Sequence, residues 1–593
     1  MSISESELIS KLRKSEPYEL RNETIYGAGN VTIQFPENEK TASFYGVTFS
    51  EPVIIRNVNF KGSLNFFSCD FRGGLVINNC IIRHNPLMNA SHSLYIHDCY
   101  FNNLNFKIEN NSSFESRIEI EGSKNLKLVS ILNSTCLGFK LNKNVIETFT
   151  TDNSFFEQEL RLESCTVNQK IRQTSNSYGN LIWMNTQFKK DIFLKDNVLN
   201  HAISIQDNIF EETVKIDPFN SVNHTSRLTV ISNKFQKSFA ISYFQKINEN
   251  VIAGGPSEIC IYSNEFDDGM TITGGNTPRI KTFGIDISNK FMGLLKVSEF
   301  QIEHLHITGE NYKGNIILKN LFIKELSLIN FANYSSFQFI KCQALDEDSN
   351  FKIQESHLEK LQFTGCLLNG FSDYDIESSN LSLIKSSNTE WFNFKQLEKS
   401  KKLNENSLDK VIDKKVREAF VKADNLKLYQ ELRDIFRQLK YAMEQQGDKV
   451  NALTFKSYEM EAYHQYVKMT HGFFNKDRLI LLFGKTNSHG INWKIPLAFI
   501  FGSTLLFYFI LLFEQSPKYY LGGDWVIKEF LKDVWVNKKA IPQLFNPIHK
   551  IQELFPDEHF NISGWAYAID FLYKVTFSFF VFQLVSAFRK FVK

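Results

Sequence analysis

Apolar and polar positions alternate along most of this chain, in phrases of eleven residues. Phe60, Gly62, Leu64, Phe66 and Cys69 return as Phe71, Gly73, Leu75, Ile77 and Cys80, each eleven residues on. Apolar slots two apart send their side chains to one face of a strand, and the small residue that precedes each pair marks a bend. The phrase recurs downstream, where Asn197 and Asn208 take the slot of Cys69 and Cys80. Phe235 with Ile241, Phe266 with Ile272, Phe339 with Cys342, and Phe363 with Cys366 fit it as well. Several later hits stand 20 to 25 residues apart, which predicts turns with longer loops or degenerate phrases. A strand-period phrase repeated along one chain predicts a parallel β-solenoid, in which each coil buries its apolar side chains against its neighbours. Each such side chain contributes roughly 1.5–3 kcal/mol when fully buried. An antiparallel meander is the competing architecture, but Asn-Gly and Asp-Gly turns are scarce.

The pattern changes at Glu398. Leu428, Leu432, Ile435 and Leu439 step by four, three and four, an apolar stripe on a helix. Gly447-Asp448 closes that helix and starts another, glycine past the end and aspartate as N-cap. Ala452, Phe455, Tyr458 and Ala462 continue the stripe. Ile495–Phe513 is then nineteen residues without a charge, enough to cross a bilayer core. A second stretch, residues 566–588, is uncharged from Val575 onward. The mixed multidomain layout is therefore an N-terminal cap (1–30), a β-solenoid (31–395), a helical hairpin (396–475) and a membrane domain (476–593). The membrane domain has spans 495–513 and 566–588, joined by an outer segment, 514–564.

Ser4 to Leu12 is expected to form a short amphipathic helix that covers the first coil. Asp217–Thr225 and Gly254–Glu258 are expected to be loops. Within the outer segment, Asp524–Trp535 is amphipathic and suited to the membrane interface. Asn546-Pro547 starts a short helix, with Ile548, Ile551, Leu554 and Phe555 on its apolar side.

Charge sets an orientation. Lys476, Arg478, Lys485 and Lys494 precede the first span, and Arg589, Lys590 and Lys593 follow the second. The outer segment holds six Lys, no Arg and seven acidic residues. The positive-inside rule places both termini in the cytoplasm of a multi-pass protein of the cell (inner) membrane. The N-terminal stretch has no apolar core of signal-peptide type. All eight Cys lie between Cys69 and Cys366, without a CxxC pair, which predicts reduced, inward-facing thiols. The whole 593-residue chain carries a formal charge of only +2, so nucleic-acid binding is not expected.

Two resemblances add to this reading. The Asn/Cys-x-Phe phrase resembles a degenerate form of the pentapeptide-repeat right-handed β-helix, although the strict pentapeptide is not kept. The stretch DRLILLFGKTNSHGINW, from Asp477 to Trp493, resembles a group of bacterial membrane proteins with cytoplasmic repeats, a helical hairpin, an Asn-x-x-Gly-x-x-Trp segment and two membrane helices. The matching residues are Asn487, Gly490 and Trp493. Leu432–Phe455 is similar to that group's hairpin. Some relatives are described as ion-channel-like, and the resemblance implies the same class here.

Candidate chemistry is sparse. No phosphate loop, dinucleotide loop, zinc ligand set or nucleophile elbow occurs in usable context, so no cofactor and no enzymatic activity are expected. Glu461 and His464, three apart, would be the pair in a ligand reading, but no third ligand is indicated, and Glu459, Glu461 and His464 are expected to be a solvated helix face. Asp570 and Lys574, at i and i+4, can bridge along one helix face, either as a functional pair within the span or in the headgroup zone. Ser578 continues their stripe, while Thr576 and Gln583 form a second polar stripe. Ala498 and Gly502 are a small-xxx-small pair suited to helix packing. No potassium-type filter sequence lies between the spans. The leading expectation is a membrane-bound sensor or effector, an oligomeric, ion-channel-like protein controlled by its solenoid. Its partners would be the bilayer, further copies of the chain and a cytoplasmic protein on the solenoid. A membrane-anchored scaffold without transport is the alternative, and a carbohydrate-active β-helix enzyme the third.

Overall fold

The structure is a computed structural model, described for residues 2–14, 18–26, 31–33, 41–83, 92–217, 219–221, 226–242, 257–275, 279–287, 291–402, 414–472, 474–515, 525–554 and 563–588. The chain divides into two units, Met1–Phe392 and Asn393–Lys593.

The first unit is a parallel β-solenoid of about 15 turns over residues 19–387. Its turn explains the eleven-residue phrase. Leu75–Asn78 stacks on Val53–Arg56, and Leu64–Phe67 stacks on Ala42–Tyr45. Four short strands therefore make one turn: Val53–Arg56, Asn59–Lys61, Leu64–Phe67 and Asp70–Phe71. Each phrase supplies half a turn, and hits 20 to 25 residues apart are successive coils on one side. Buried residues fall at Val53, Ile55, Val58, Phe60, Leu64, Phe66, Cys69 and Phe71. The inward pairs thus begin five, then six, residues apart. A strict pentapeptide period is lengthened by one residue at every second side, and this is where the chain departs from the pattern it resembles.

Two features hold the coils in register. Phe188, Phe210, Phe235 and Phe266 stack with centroids 4.9, 4.7 and 4.9 Å apart, the spacing of neighbouring strands. The corners carry the second feature. Ser68, Asn79, Asn153, Ser164 and Ser175 have φ near +50°, a conformation that Asn and other short polar residues tolerate better than most. The residue after each such corner turns inward. Its side chain accepts from a backbone N–H of the preceding coil. Thr186 N–H donates to Asn208 Oδ1 (2.9 Å), Asn208 N–H to Asn233 Oδ1 (3.0 Å) and Asn233 N–H to Asn264 Oδ1 (2.9 Å). Cys69 N–H donates to Cys99 Sγ (3.3 Å) in the same column. At the opposite corner Ser154 and Asn176 donate to Asn176 Oδ1 and Asn197 Oδ1, each at 3.0 Å. Asn, Ser, Thr and Cys share one slot because each can accept a hydrogen bond that the buried backbone must make.

At the N-terminal end, α1 (Glu5–Lys14) buries Leu8, and Ser2–Ser4 adds a strand beside Thr24–Tyr26. The expected cap is present, but coils begin at Tyr18–Arg21 rather than at residue 31. The side chains of Ile9 and Leu12 lie outside the described residues. Phe219–Ser221, expected to be loop, pairs with Asn197–Leu199, and a strand starts at Glu258. Asp217 and Ser257 donate their backbone N–H groups to Leu194 O and Ser226 O, and the remaining residues of both expected loops lie outside the described residues. Phe392 closes the last coil against Phe351 and Tyr374.

The second unit is helical: α2 (Phe394–Lys401), α3 (Lys414–Gln445), α4 (Lys449–Thr470), α5 (Lys476–Lys485), α6 (Lys494–Gln515), α7 (Trp525–Val536), α8 (Ala540–Leu544), α9 (Ile551–Leu554) and α10 (Gly564–Phe588). Leu428, Leu432, Ile435 and Leu439 of α3 are buried, as are Ala452, Phe455 and Ala462 of α4. Gly447 has φ +74° and the Asp448 side chain caps α4, so the hairpin turns where its sequence indicates. Helices α6 and α10 are long and apolar enough to cross a membrane.

Candidate functional site: a buried ionisable cluster between the two long helices

α6 and α10 pack through Ile500, Tyr508, Leu511 and Leu512 on one side and Ala566, Tyr573 and Phe577 on the other, with the buried Thr504 meeting Tyr573. The connector does not stand apart from them. Ala540, Leu544, Ile551 and Leu554 belong to the same buried cluster. Phe545 meets Phe501 edge-on at 5.3 Å and Phe577 at 6.2 Å. At 1.5 Å per residue, those rings lie about 20–21 Å from the ends of α6 and α10 that the connector joins. The connector therefore runs along the paired helices to near their mid-length and returns.

Side chains of the long helices satisfy its exposed carbonyls. Tyr508 donates to Val534 O (2.9 Å) and Tyr573 to Leu544 O (2.9 Å). Thr504 Oγ1 and Tyr573 Oη are 3.0 Å apart. Lys574 Nζ donates to His549 O (2.8 Å) and to Asp570 Oδ2 (2.7 Å). His549 Nε2 lies 2.8 Å from Asp570 Oδ1, and its Nδ1 lies 2.5 Å from Asn546 O. His549 and Asp570 are each 5% exposed, so the acid is enclosed by its own chain.

The structure thus joins Asp570 and Lys574 as the spacing indicates and adds His549, which sequence reasoning missed. Its nearest sequence signal is an uncommitted histidine twenty-one residues before an aspartate within a span. The polar stripes do not join them. Ser578 is exposed, and Thr576 is half-buried, with its hydroxyl donating to Leu572 O (2.8 Å). Gln583 participates through its carbonyl, which accepts from Asn487 Nδ2 (3.3 Å).

That last bond explains the Asn-x-x-Gly-x-x-Trp segment. Asn487 Oδ1 accepts from Gly490 N–H (2.9 Å), Gly490 has φ +97°, and Trp493 stacks on Phe588 at 5.9 Å. The segment straps the start of α6 to the far end of α10.

Two expectations change. The small pair Ala498 and Gly502 is exposed on the side of α6 away from α10, and a Cβ on Gly502 would meet nothing within 4 Å. They lie two residues, or about 200°, from the packed Ile500 and Thr504. The short helix after Pro547 starts later than expected, at Ile551, and leaves Ile548 exposed because the turn at Asn546 directs His549 inward. Phe555 lies outside the described residues, as do Asp524 and the terminal Arg589, Lys590 and Lys593. Finally, Glu459 and His464 are not a solvated face. Glu459 is buried and bridged by Arg437 (3.1 Å) and Lys440 (2.7 Å), both on α3, and His464 is 8% exposed.

Beside this hairpin lies a cavity of about 1100 Å³, lined by residues including Tyr458, Glu461, Lys485, His489 and Trp493. Burial opposes ionisation of Glu461, but hydrogen bonds from Lys485 and Gln465 outweigh it and hold the carboxyl below its ordinary value. Burial, with the charge of Lys485, holds the His464 and His489 imidazoles below theirs. Among the described residues, no group of three His, Cys, Asp or Glu side chains is placed to hold a metal ion. No family model, curated protein or solved structure matches the chain.

Proposed function

We propose that this chain is a membrane effector that assembles as a homo-oligomer and passes ions across the bilayer under the control of its solenoid. The observation that carries the reading is the cluster of Asp570, Lys574 and His549, buried where an irregular connector packs against the second of two long apolar helices. Ionisable groups within a membrane are costly and are functional candidates by default. Irregular backbone at that depth is tolerated where protein buries it and satisfies its carbonyls, as Tyr508, Tyr573 and Lys574 do here. Two spans cannot enclose a pore, so conduction calls for several copies. The cavity beside the hairpin supports a sensing role, since an occupant there would touch both α4 and the entry to α6. In this reading both termini face the cytoplasm of the cell (inner) membrane, and no bond-making chemistry is involved.

A scaffold reading draws on the solenoid surface, where Glu119 accepts from His92 (2.7 Å) and pairs with Lys140 (3.1 Å), which continues to Glu163 (3.5 Å). Ion flux separates the two. Full-length protein in liposomes is expected to conduct, and an Asp570→Asn, Lys574→Gln double variant to conduct differently. An inserted oligomer that stays silent even with cytoplasmic extract would move the assignment to the scaffold.

A further inference from the structure

Both ring nitrogens of the buried His549 face acceptors. Nδ1 lies against the Asn546 carbonyl oxygen at 2.5 Å and Nε2 against Asp570 Oδ1 at 2.8 Å. A neutral imidazole has one N–H and one lone pair. It can satisfy one of these contacts and must turn its lone pair toward the other acceptor. A carbonyl oxygen has no proton to give. Either the imidazole holds two protons, or the Asp570 carboxyl holds one. In both cases the cluster carries one proton more than a neutral histidine beside a carboxylate.

Among the described residues, no neighbour supplies that proton instead. The Lys574 ammonium is engaged with Asp570 Oδ2 and the His549 carbonyl. The Tyr573 ring lies 6.2 Å from the imidazole, and its hydroxyl is engaged with Thr504 and Leu544. From α6 the polar groups packed here are Thr504 and Tyr508, and the Tyr508 hydroxyl bonds Val534. On the connector, Lys538, Lys539, Lys550 and Glu553 are exposed, and Asp533 is half-buried on α7.

We propose that His549 and Asp570 form one exchangeable proton-binding site, so that the proton is the ion this membrane unit binds and moves. The inference rests on the ion-conducting reading above. With the proton bound, the imidazole bridges Asn546 to Asp570 and fastens the connector to α10. Lys574 already balances the charge of Asp570, so an imidazolium leaves one net positive charge in a water-poor setting, where it is poorly tolerated. The geometry requires the proton and the charge balance opposes it, the condition for exchange. When the N–H bond breaks, its electron pair stays on nitrogen and the proton passes to water. A lone pair then faces a carboxylate across the former hydrogen bond, and the connector loosens from α10. Raising the pH therefore weakens this contact.

Two measurements on the full-length protein in liposomes test this. Nitrogen NMR of ¹⁵N-histidine, with the His549 signals assigned by loss in His549→Gln, and carboxyl ¹³C NMR assigned by Asp570→Asn, read the proton directly. The expected result at neutral pH is an imidazolium, or a neutral ring beside a protonated carboxyl, converting at higher pH. A neutral ring beside an ionised carboxylate at neutral pH overturns the proposal. Proton influx under a potassium diffusion potential, read by an enclosed pH dye, is expected to fall about 100-fold or more in either variant, as when a positioned proton carrier is removed. Asp570→Asn is nearly isosteric and guards against a folding artefact. A bound proton with no influx would sink the transport reading and leave the site. Unchanged flux of another ion in both variants, with no bound proton, would sink the site and leave the transport reading.

Discussion

At the scale of single residues, the solenoid depends on its corner slots more than its apolar content suggests. Asn208 accepts from Thr186 N–H and donates to Trp183 O, both buried. Asn208→Ala leaves these groups unpaired, at about 1–3 kcal/mol for each, whereas Phe235→Ala opens a cavity worth roughly 3–5 kcal/mol. Asn208→Cys should cost less than Asn208→Ala, because Cys99 fills the same slot and accepts from Cys69 N–H. Thermal unfolding of the full-length protein, followed by its β-sheet circular dichroism, checks the order. Equal losses for the Ala and Cys variants would mean that the slot needs volume rather than an acceptor. The slot was legible in the sequence as Cys69, Cys80, Asn197 and Asn208. Its purpose was not, since the N–H it satisfies belongs to a residue some 22 positions away.

At the scale of elements, local signals were readable and partners across helices were not. The α3 stripe, Gly447 and the Asp448 cap act within a few residues of one another. Glu459 looked solvated because Arg437 and Lys440 lie on the preceding helix, 22 and 19 positions away. The packing of the connector escaped for the same reason, since Leu544 meets Tyr573 only after folding. A pH test belongs here. Burial and the Lys485 charge hold the His464 imidazole below its ordinary value of 6.5. The unfolded chain therefore binds the proton more readily than the folded hairpin does. Stability rises with pH where the unfolded state holds more protons, so it should be lost as pH falls below about 6.5 toward the depressed folded value. The same holds for His489. Helical melting of the full-length protein at several acidic pH values should show a decline, flattened in His464→Leu. An unaltered decline would place the sensitive group elsewhere.

At the scale of the whole molecule, the order of a solenoid, a hairpin and two long apolar helices was legible, because repeat period and span length are properties of continuous sequence. The proposed assembly is not, and the structure narrows where to look. On α6, Ile500, Thr504, Tyr508 and Leu511 face α10 and the connector, which leaves Ala498 and Gly502 exposed on the opposite side among the described residues. Small residues on such a face let helix backbones approach closely. Gly502→Leu separates assembly from folding. Its Cβ meets nothing within 4 Å, and replacing a helical glycine adds about 0.8–1 kcal/mol of helix propensity. The variant chain should therefore fold at least as stably as the parent. If this face joins copies, light scattering in detergent should show a smaller species, and flux in liposomes should fall with it. If mass and flux are both unchanged, the face belongs to lipid. The copies would then have to meet through another surface, for which the exposed Leu531 and Trp535 of α7 are the next place to substitute.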